Sequence, residues 1–138
     1  MFITGGSSGI GEALTKRIVQ LNPKKVIISA RRIEELERVK KECDNPSIVQ
    51  PFILDLSDPE KCLAECTKFF EKEQVDIVIN NGGQSQRSLF ENTGYTVVSK
   101  LMNINCLSPI AICKAVFPGM QKRKSGQIVN VLSVCGYL

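Results

Sequence analysis

Histidine is absent from the 138 residues of this sequence. Its absence excludes Ser-His-Asp triads, histidine general bases and histidine-ligated zinc sites. Six cysteines are present, but none of them form a Cys-x-x-Cys pair. We therefore predict reduced, mostly buried thiols in a reducing compartment, and no metal site. A cysteine nucleophile is a weaker alternative, because no histidine is available to activate it.

The sequence also has little net charge and no long apolar run. Lys and Arg outnumber Asp and Glu by only 18 to 14, which gives a net charge of +4. The densest basic cluster, Lys122-Arg123-Lys124, is typical of a solvated helix end, so no nucleic-acid partner is predicted. No apolar run approaches transmembrane length, and the N-terminus does not resemble a signal peptide. We therefore expect no membrane attachment to be encoded in this segment.

Apolar runs alternate with helical patterns along the whole chain. Short runs rich in Val and Ile are typical of strands buried on both faces. The alternation predicts a parallel sheet with helices on both faces and no interdomain linker. The predicted strands are Met1 to Thr4, Val26 to Ser29, Ile48 to Leu54, Val75 to Ile79 and Gln127 to Leu132. The predicted helices run from Ile10 to Leu21, Ile33 to Lys41, Ser57 to Phe70 and Tyr95 to Lys122, the last interrupted near Pro109.

A glycine loop lies between the first strand and the first helix. Its sequence is Thr-Gly-Gly-Ser-Ser-Gly-Ile-Gly, from Thr4 to Gly11. Glycines let the backbone approach a pyrophosphate closely, and the helix N-terminus offers N–H groups to the anion. A tight turn without a ligand is the alternative, because a glycine pattern alone is weak evidence. The loop predicts a nucleotide-binding site made by Gly5, Ser7, Ser8, Gly9, Ile10 and Gly11.

The end of the second strand bears on which nicotinamide cofactor is bound. In a Rossmann-type fold this position faces the adenosine ribose, where an acid favours NAD and an arginine favours NADP. Arg31 and Arg32 stand there, and the first acid is Glu34. A pair of solvated arginines is the alternative interpretation. However, cations at a helix start oppose the helix dipole, and an anionic ligand would compensate them. We therefore predict NADP(H) as the cofactor.

Five motifs in order resemble the short-chain dehydrogenase/reductase family from end to end. Thr-Gly-x-x-x-Gly-Ile-Gly is the signature of that family. The other matches are Asp55-Leu56, Asn80-Asn81-Gly82-Gly83, Asn105, and Ser133 after Ile128-Val129-Asn130-Val131. Stretches such as Ser29-Ala30-Arg31-Arg32 resemble the "member 7" group of that family. The resemblance implies an α/β fold: a Rossmann-type doubly wound parallel sheet, incomplete, with about five strands in the order 3-2-1-4-5.

The resemblance also implies roles for these residues. Asp55 and Leu56 would lie at the adenine, and Asn81, Gly82 and Gly83 would line the cofactor. Glycine instead of the family's alanine at position 82 is a small change, since both leave room for the cofactor. Ser133 would polarise a substrate carbonyl. The backbone at Asn105 would hold a water molecule in a proton relay.

Asn105 also lies on a predicted apolar stripe with Val98, Leu101 and Met102. It is therefore expected to be a buried amide that needs hydrogen-bond partners. A core asparagine bonded to nearby backbone is the alternative interpretation. Pro109 has no N–H to donate to the carbonyl four residues before it, which is that of Asn105. We expect the helix to bend there and to leave that carbonyl free.

The family's Tyr-x-x-x-Lys motif is expected to fall beyond residue 138. Tyr137 follows Ser133 too closely, and Tyr95 has a serine four residues later. Residues 1–138 are thus expected to be the NADP(H)-binding domain, truncated on its catalytic side and inactive alone. A naturally short, non-catalytic nucleotide-binding or interaction module is the alternative. The Gln127 to Leu132 strand would then be an open edge prone to association.

For a complete protein, the resemblance implies NADP(H)-dependent interconversion of carbonyl and alcohol. It suggests a small lipophilic substrate, such as a steroid or retinoid, and a homo-oligomer. It also suggests attachment to the endoplasmic reticulum membrane through a segment ahead of residue 1. Without such attachment, we expect a cytoplasmic location.

Overall fold

The computed structural model describes residues 1–133, so Tyr137 and Leu138 lie outside the described residues. Helices and strands alternate along the chain, as predicted. The strands are β1 (Phe2–Thr4), β2 (Val26–Ala30), β3 (Val49–Ile53), β4 (Ile77–Asn80) and β5 (Gln127–Asn130). The helices are α1 (Gly9–Val19), α2 (Ile33–Lys41), α3 (Pro59–Lys72), α4 (Tyr95–Met102) and α5 (Ser108–Lys122). Short 3₁₀ turns at Pro46–Ile48 and Phe90–Asn92 complete the connections.

The five strands form one parallel sheet in the order β3-β2-β1-β4-β5. This confirms the predicted order and the α/β class. Two clusters of buried side chains form the core. The first contains Phe2, Val78 and Ile112, and the second contains Ile3, Ile28 and Leu36. Because residues 2 and 3 of one strand point to opposite faces, the two clusters cover the two faces of the sheet.

Strand positions explain two features of the sequence. All but the last residue of β2 are buried, as expected for a strand covered on both faces. β3 lies at one edge of the sheet, where Pro51 does not interrupt a second ladder of hydrogen bonds. The proline therefore stands at an edge of the described sheet.

Some element boundaries differ from the predictions. β5 ends at Asn130 because its only partner among residues 1–133, β4, ends at Asn80 in the same register. Val131 and Leu132 are instead 40% and 86% exposed. β5 lies at the second edge of the described sheet, and Val129 packs against the core.

The start of α3 is capped by Asp58, whose carboxylate accepts a hydrogen bond from the Lys61 N–H at 3.0 Å. Ser57, one residue earlier, donates its N–H to the Asp55 carboxylate at 2.9 Å. Leu63 is 39% exposed, whereas Cys62 and Cys66 are buried in the core. Phe69 and Phe70 pack against the same cluster, so α3 covers the sheet with this side.

The long helix predicted from Tyr95 to Lys122 is interrupted earlier than Pro109. A π-helical turn, Asn103–Leu107, separates α4 from α5. In this turn the Ser108 N–H donates to the carbonyl of Asn103, five residues back. Pro109 lies in the first turn of α5, where a missing N–H is tolerated.

The helical stretch Tyr95–Lys122 corrects the expectation that no segment reaches transmembrane length. Its 28 residues are long and apolar enough to cross a membrane, by length and composition only. One side of α5 belongs to the protein core, through Ala111, Ile112, Val116 and Met120. Packing inside the protein therefore explains part of its apolar character.

Candidate nucleotide-binding site

The predicted site residues follow the carboxyl ends of the strands. The glycine loop follows β1, Arg31 follows β2, Asp55 comes two residues after β3, and Asn81 follows β4. In a parallel sheet these ends lie on one edge. The strand order also reverses direction between β1 and β4, which is where open α/β sheets bind ligands.

A cleft of about 340 Å³ opens at this edge. All the predicted cofactor residues line it except Gly9 and Gly11. Gly9 has open space beside it, and Gly11 is buried beneath the loop. The lining residues from the prediction are Gly5, Ser7, Ser8, Ile10, Arg31, Arg32, Asp55, Leu56, Asn81, Gly82 and Gly83.

The glycines of the loop permit close packing between protein backbones. A Cβ added to Gly11 would lie 2.2 Å from the Gly5 carbonyl oxygen and 2.6 Å from the Asn81 amide nitrogen. A Cβ on Gly5 would lie 2.7 Å from the Gly82 Cα, and one on Gly82 would lie 2.6 Å from Leu56. The space beside Gly82 is therefore filled by protein atoms. Glycine at position 82 serves the packing of the loop.

A set of hydrogen bonds centred on Thr4 fixes the loop to β4. The Thr4 hydroxyl accepts from the N–H groups of Asn81 and Gly82, at 3.0 and 2.8 Å. The Asn81 side-chain amide donates to the Thr4 carbonyl at 3.0 Å. Thr4 is 1% exposed, so these bonds are shielded from water. Thr4 is not among the predicted site residues, although it opens the signature.

The loop offers N–H donors that suit a phosphate. Ser8 is the N-terminal residue before α1, and its side chain makes no capping hydrogen bond. Within residues 1–133, no acceptor is found for the N–H groups of Ser7 and Ser8, which line the cleft. With the positive end of the α1 dipole, these donors fit an anionic group.

Charged side chains lie at the far end of the cleft from Gly82. Arg31 and Arg32 are exposed, line the cleft and form no salt bridge within residues 1–133. Glu34 and Glu35 lie in the first turn of α2 and already compensate part of the charge there. Asp55 is the one acid in the described cleft lining.

The environment of Asp55 favours its charged form. Partial burial would raise the pKa of this carboxyl, but hydrogen bonds from Ser57 and the charge of Arg31 outweigh it. The pKa of Asp55 therefore lies below its usual value. The side chain is suited to accept hydrogen bonds from a ligand in the cleft.

Asn105 is exposed, and the expectation that it is a buried amide is wrong. It is nevertheless fully engaged with backbone groups. Its oxygen accepts from the Gln84 N–H at 2.9 Å, and its NH₂ group donates to the Gln84 carbonyl at 2.8 Å. Asn105 thereby fixes the segment after Gly83, which lines the cleft. Ser133 is exposed, three residues beyond β5, and does not line the cleft.

Several cleft residues carry no signal in the sequence. Each lies within two residues of a predicted site residue in the sequence, and all but one are apolar or small: Ser29, Ala30, Leu54, Gln84 and Ile104. Most of them could have been found only as neighbours of Arg31, Asp55 or Gly83. Ile104 belongs to the π-helical turn and reaches the cleft from a distant part of the chain.

Comparisons with known proteins agree with this geometry. The family described as short chain dehydrogenase matches residues 1–138. The chain is 41% identical over 143 residues to dehydrogenase/reductase SDR family member 7 of Mus musculus. That alignment covers 99% of this chain and 42% of the mouse protein, so the chain spans about two fifths of its length.

Solved structures have the same fold. A short-chain dehydrogenase from Streptomyces avermitilis superposes with a TM-score of 0.89 at 30% identity, covering 99% of this chain and 50% of that one. A short-chain dehydrogenase from Sphingobium yanoikuyae, solved in complex with NADPH, superposes with a TM-score of 0.90 at 27% identity. That match covers 99% of this chain and 54% of the other.

Proposed function

The chain belongs to the short-chain dehydrogenase family of oxidoreductases, and on that premise we propose that its cleft binds NADP(H). The observation that carries the proposal is the position of Arg31 and Arg32. Both line the cleft at the end of β2 and form no salt bridge within residues 1–133. An arginine at this position suits the 2′-phosphate of NADP.

Each part of the cleft would hold a different part of the cofactor. The N–H groups of Ser7 and Ser8, with the start of α1, would bind phosphate oxygens. Asp55 would accept hydrogen bonds from the adenine. Asn81, Gly82 and Gly83 would line the path toward the nicotinamide. The cofactor, when bound, supplies or accepts the hydride.

We propose that Ser133 and Asn105 serve the reaction in the complete protein. Ser133 would donate a hydrogen bond to the substrate oxygen and so polarise the carbonyl. Asn105 would hold the segment after Gly83 through its two hydrogen bonds to Gln84. Its backbone would contribute to proton transfer.

The substrate we propose is a small lipophilic carbonyl compound or alcohol. Exposed apolar side chains in the segment that follows the cleft residue Gln84 support this class. Leu89 and Phe90, in the segment between β4 and α4, are 67% and 89% exposed. The complete protein is proposed to be a homo-oligomer, in keeping with half-exposed apolar side chains on α5 such as Ile110 and Phe117.

Cofactor preference tests the proposal most directly. In the complete protein that contains this sequence, Arg31→Asp removes a cation at the ribose end and introduces an acid. A hydrogen bond to a charged group contributes about 1.5–3 kcal/mol, so NADPH affinity is expected to fall by about 10- to 100-fold. NADH affinity should change much less. Titration calorimetry measures both dissociation constants.

Arg17→Asp is the matched control. It makes the same change of charge on an exposed residue of α1, outside the cleft. It should leave both affinities unchanged. Equal losses for NADPH and NADH in Arg31→Asp would contradict the assignment of NADP(H).

A further inference from the structure

Arg38 lies in the second turn of α2 and does not line the cleft, but its side chain contacts the backbone of the glycine loop. Its guanidinium donates to the Ser7 carbonyl at 3.1 Å. The same group forms two parallel hydrogen bonds with Glu12, at 2.9 and 3.1 Å. Bidentate pairs of this kind fix geometry as well as charge. The side chain of Arg38 thus joins α2, α1 and the loop.

The contact with Ser7 sets the orientation of one peptide group. In a planar trans peptide, the carbonyl and the following N–H point in opposite directions. Because the Ser7 carbonyl faces Arg38, the Ser8 N–H faces away from it. Neighbouring loop groups have other partners: the Gly6 N–H donates to Ser29, and the Ser8 carbonyl accepts from the Glu12 N–H. Within residues 1–133, Arg38 is the one hydrogen-bond partner found for the Ser7 carbonyl.

Acidic residues surround Arg38 and hold it in place. Its Nε donates to Glu35 at 3.0 Å, and Nη1 also donates to Glu42 at 3.1 Å. Hydrogen bonds from Arg38, and then from Lys16, lower the pKa of Glu12 to about 2. The Glu12 side chain is only 18% exposed. Glu12 therefore stays ionised and remains a fixed anchor for the guanidinium.

We propose that Arg38 is a positioning residue for cofactor binding, holding the Ser7–Ser8 peptide so that the Ser8 N–H is aimed at a phosphate of the dinucleotide. The proposal rests on the proposed function of the cleft. The role of Arg38 differs from that of Arg31 and Arg32. Those two arginines would contact the cofactor directly, whereas Arg38 acts through the backbone of the loop.

Three variants of the complete protein test the proposal. Arg38→Met keeps the length of the side chain but removes every donor. Arg38→Lys keeps the charge but cannot form the two-pronged contact with Glu12 while reaching Ser7. Glu35→Gln, the control, removes the negative charge of one partner of Arg38 and leaves the contacts of Arg38 with Glu12 and Ser7 in place. NADP⁺ affinity is measured by calorimetry, and the Ser8 amide resonance of the cofactor-free protein by NMR.

Without Arg38, the Ser8 N–H is no longer aimed at the phosphate, and one charge-assisted hydrogen bond is weakened. We therefore expect Arg38→Met to bind NADP⁺ about tenfold more weakly. Arg38→Lys should be almost as weak, and Glu35→Gln should stay within about twofold of the unmodified protein. The Ser8 amide resonance should move in both Arg38 variants and not in Glu35→Gln. If Arg38→Met does not fold, Arg38→Lys provides the same comparison.

Three results would overturn the proposal: full affinity in Arg38→Lys, an equal loss in Glu35→Gln, or an unmoved Ser8 resonance. The first would mean that charge alone matters, and the second that the ion pairs only stabilise the helices. A different failure concerns the proposed function. If the unmodified protein binds neither NADP⁺ nor NAD⁺, the cofactor assignment fails, while the Ser8 resonance still decides whether Arg38 orients the peptide.

Discussion

Replacing Gly11 with alanine should destabilise the protein, although the position is inside a helix. Alanine instead of glycine in a helix normally stabilises by about 1 kcal/mol. Here the new Cβ would lie 2.2 Å from the Gly5 carbonyl oxygen and 2.6 Å from the Asn81 amide nitrogen. Neither neighbour is the end of a long flexible side chain. The loop and the start of α1 must therefore move apart.

The size of the effect follows from these contacts. Overpacking of this kind costs about 1–3 kcal/mol. Displacing the Asn81 amide also weakens its hydrogen bond to the Thr4 carbonyl, which contributes about 0.5–1.5 kcal/mol. After the helix gain is subtracted, we expect a net loss of about 2 kcal/mol. For a complete protein about as long as the mouse relative, of which this chain spans about two fifths, this lowers Tm by about 2–4 °C.

Thermal and urea unfolding of the complete protein measure this loss, and calorimetry measures NADP⁺ affinity. Gly119→Ala is the matched control, because Gly119 is also inside a helix. The nearest atom to its added Cβ is the Arg123 Nη1, at 3.3 Å, on a side chain that can move. Gly119→Ala should be neutral or stabilising. If Gly11→Ala is as stable as the unmodified protein and binds NADP⁺ equally well, the packing argument is wrong.

Two further predictions concern the same loop. Thr4→Val removes the acceptor of two backbone N–H groups and should lower the free energy of unfolding by about 1–3 kcal/mol. Thr4→Ser keeps the hydroxyl and should retain most of the stability. Equal stability of the two variants would contradict this expectation. Glu12 has a pKa lowered from 4.5 to about 2, so its ion pairs contribute stability above pH 4.5 that is lost as the pH falls toward 2. Urea unfolding over this range should show a shallower decline for Glu12→Gln than for the unmodified protein, and the same slope in both would refute the assignment. Glu71→Gln, at an exposed acid with no ion pair within residues 1–133, is the control and should keep the original slope.

The order of elements could be predicted because it depends on features that are local in the sequence. Each buried strand is a short apolar run, and each is separated from the next by a helical pattern. The buried face of α1 could not be predicted in the same way. Ile10 and Leu21 are 68% and 71% exposed, while Gly11 and Thr15 are buried. The glycine loop packs over the start of α1, so small and polar residues occupy positions that a hydrophobic pattern assigns to the surface.

Thr15 illustrates why the pattern fails there. Its hydroxyl donates to the Gly11 carbonyl at 2.7 Å, so the side chain is satisfied within its own helix and can be buried without a distant partner. No count of apolar residues would find such a position.

Asn105 was misplaced for a different reason. The apolar stripe was counted through Asn105 at the spacing of an α-helix. A π-helical turn places more residues in each turn, so the side chains that follow are rotated relative to that count. The stripe ahead of the turn at Asn103–Leu107 is itself not buried, since no residue of α4 is buried and Met102 is 51% exposed. Asn105 therefore lies at the surface, where it reaches Gln84. The pattern of the sequence gives no sign of this change in helical register.

The basic residues near the glycine loop have different environments, and this difference could not be predicted from the sequence. Arg31 and Arg32 could be assigned to the cleft because they directly follow a strand. Arg38 could not, since its main partner, Glu12, is 26 residues away in the sequence. In the fold, Glu12, Glu35 and Glu42 form ion pairs with Arg38, and Glu12 and Glu42 also pair with Lys16. Within residues 1–133, none of these acids forms a salt bridge with Arg31 or Arg32. An anionic ligand is the partner that the position of these two arginines suits.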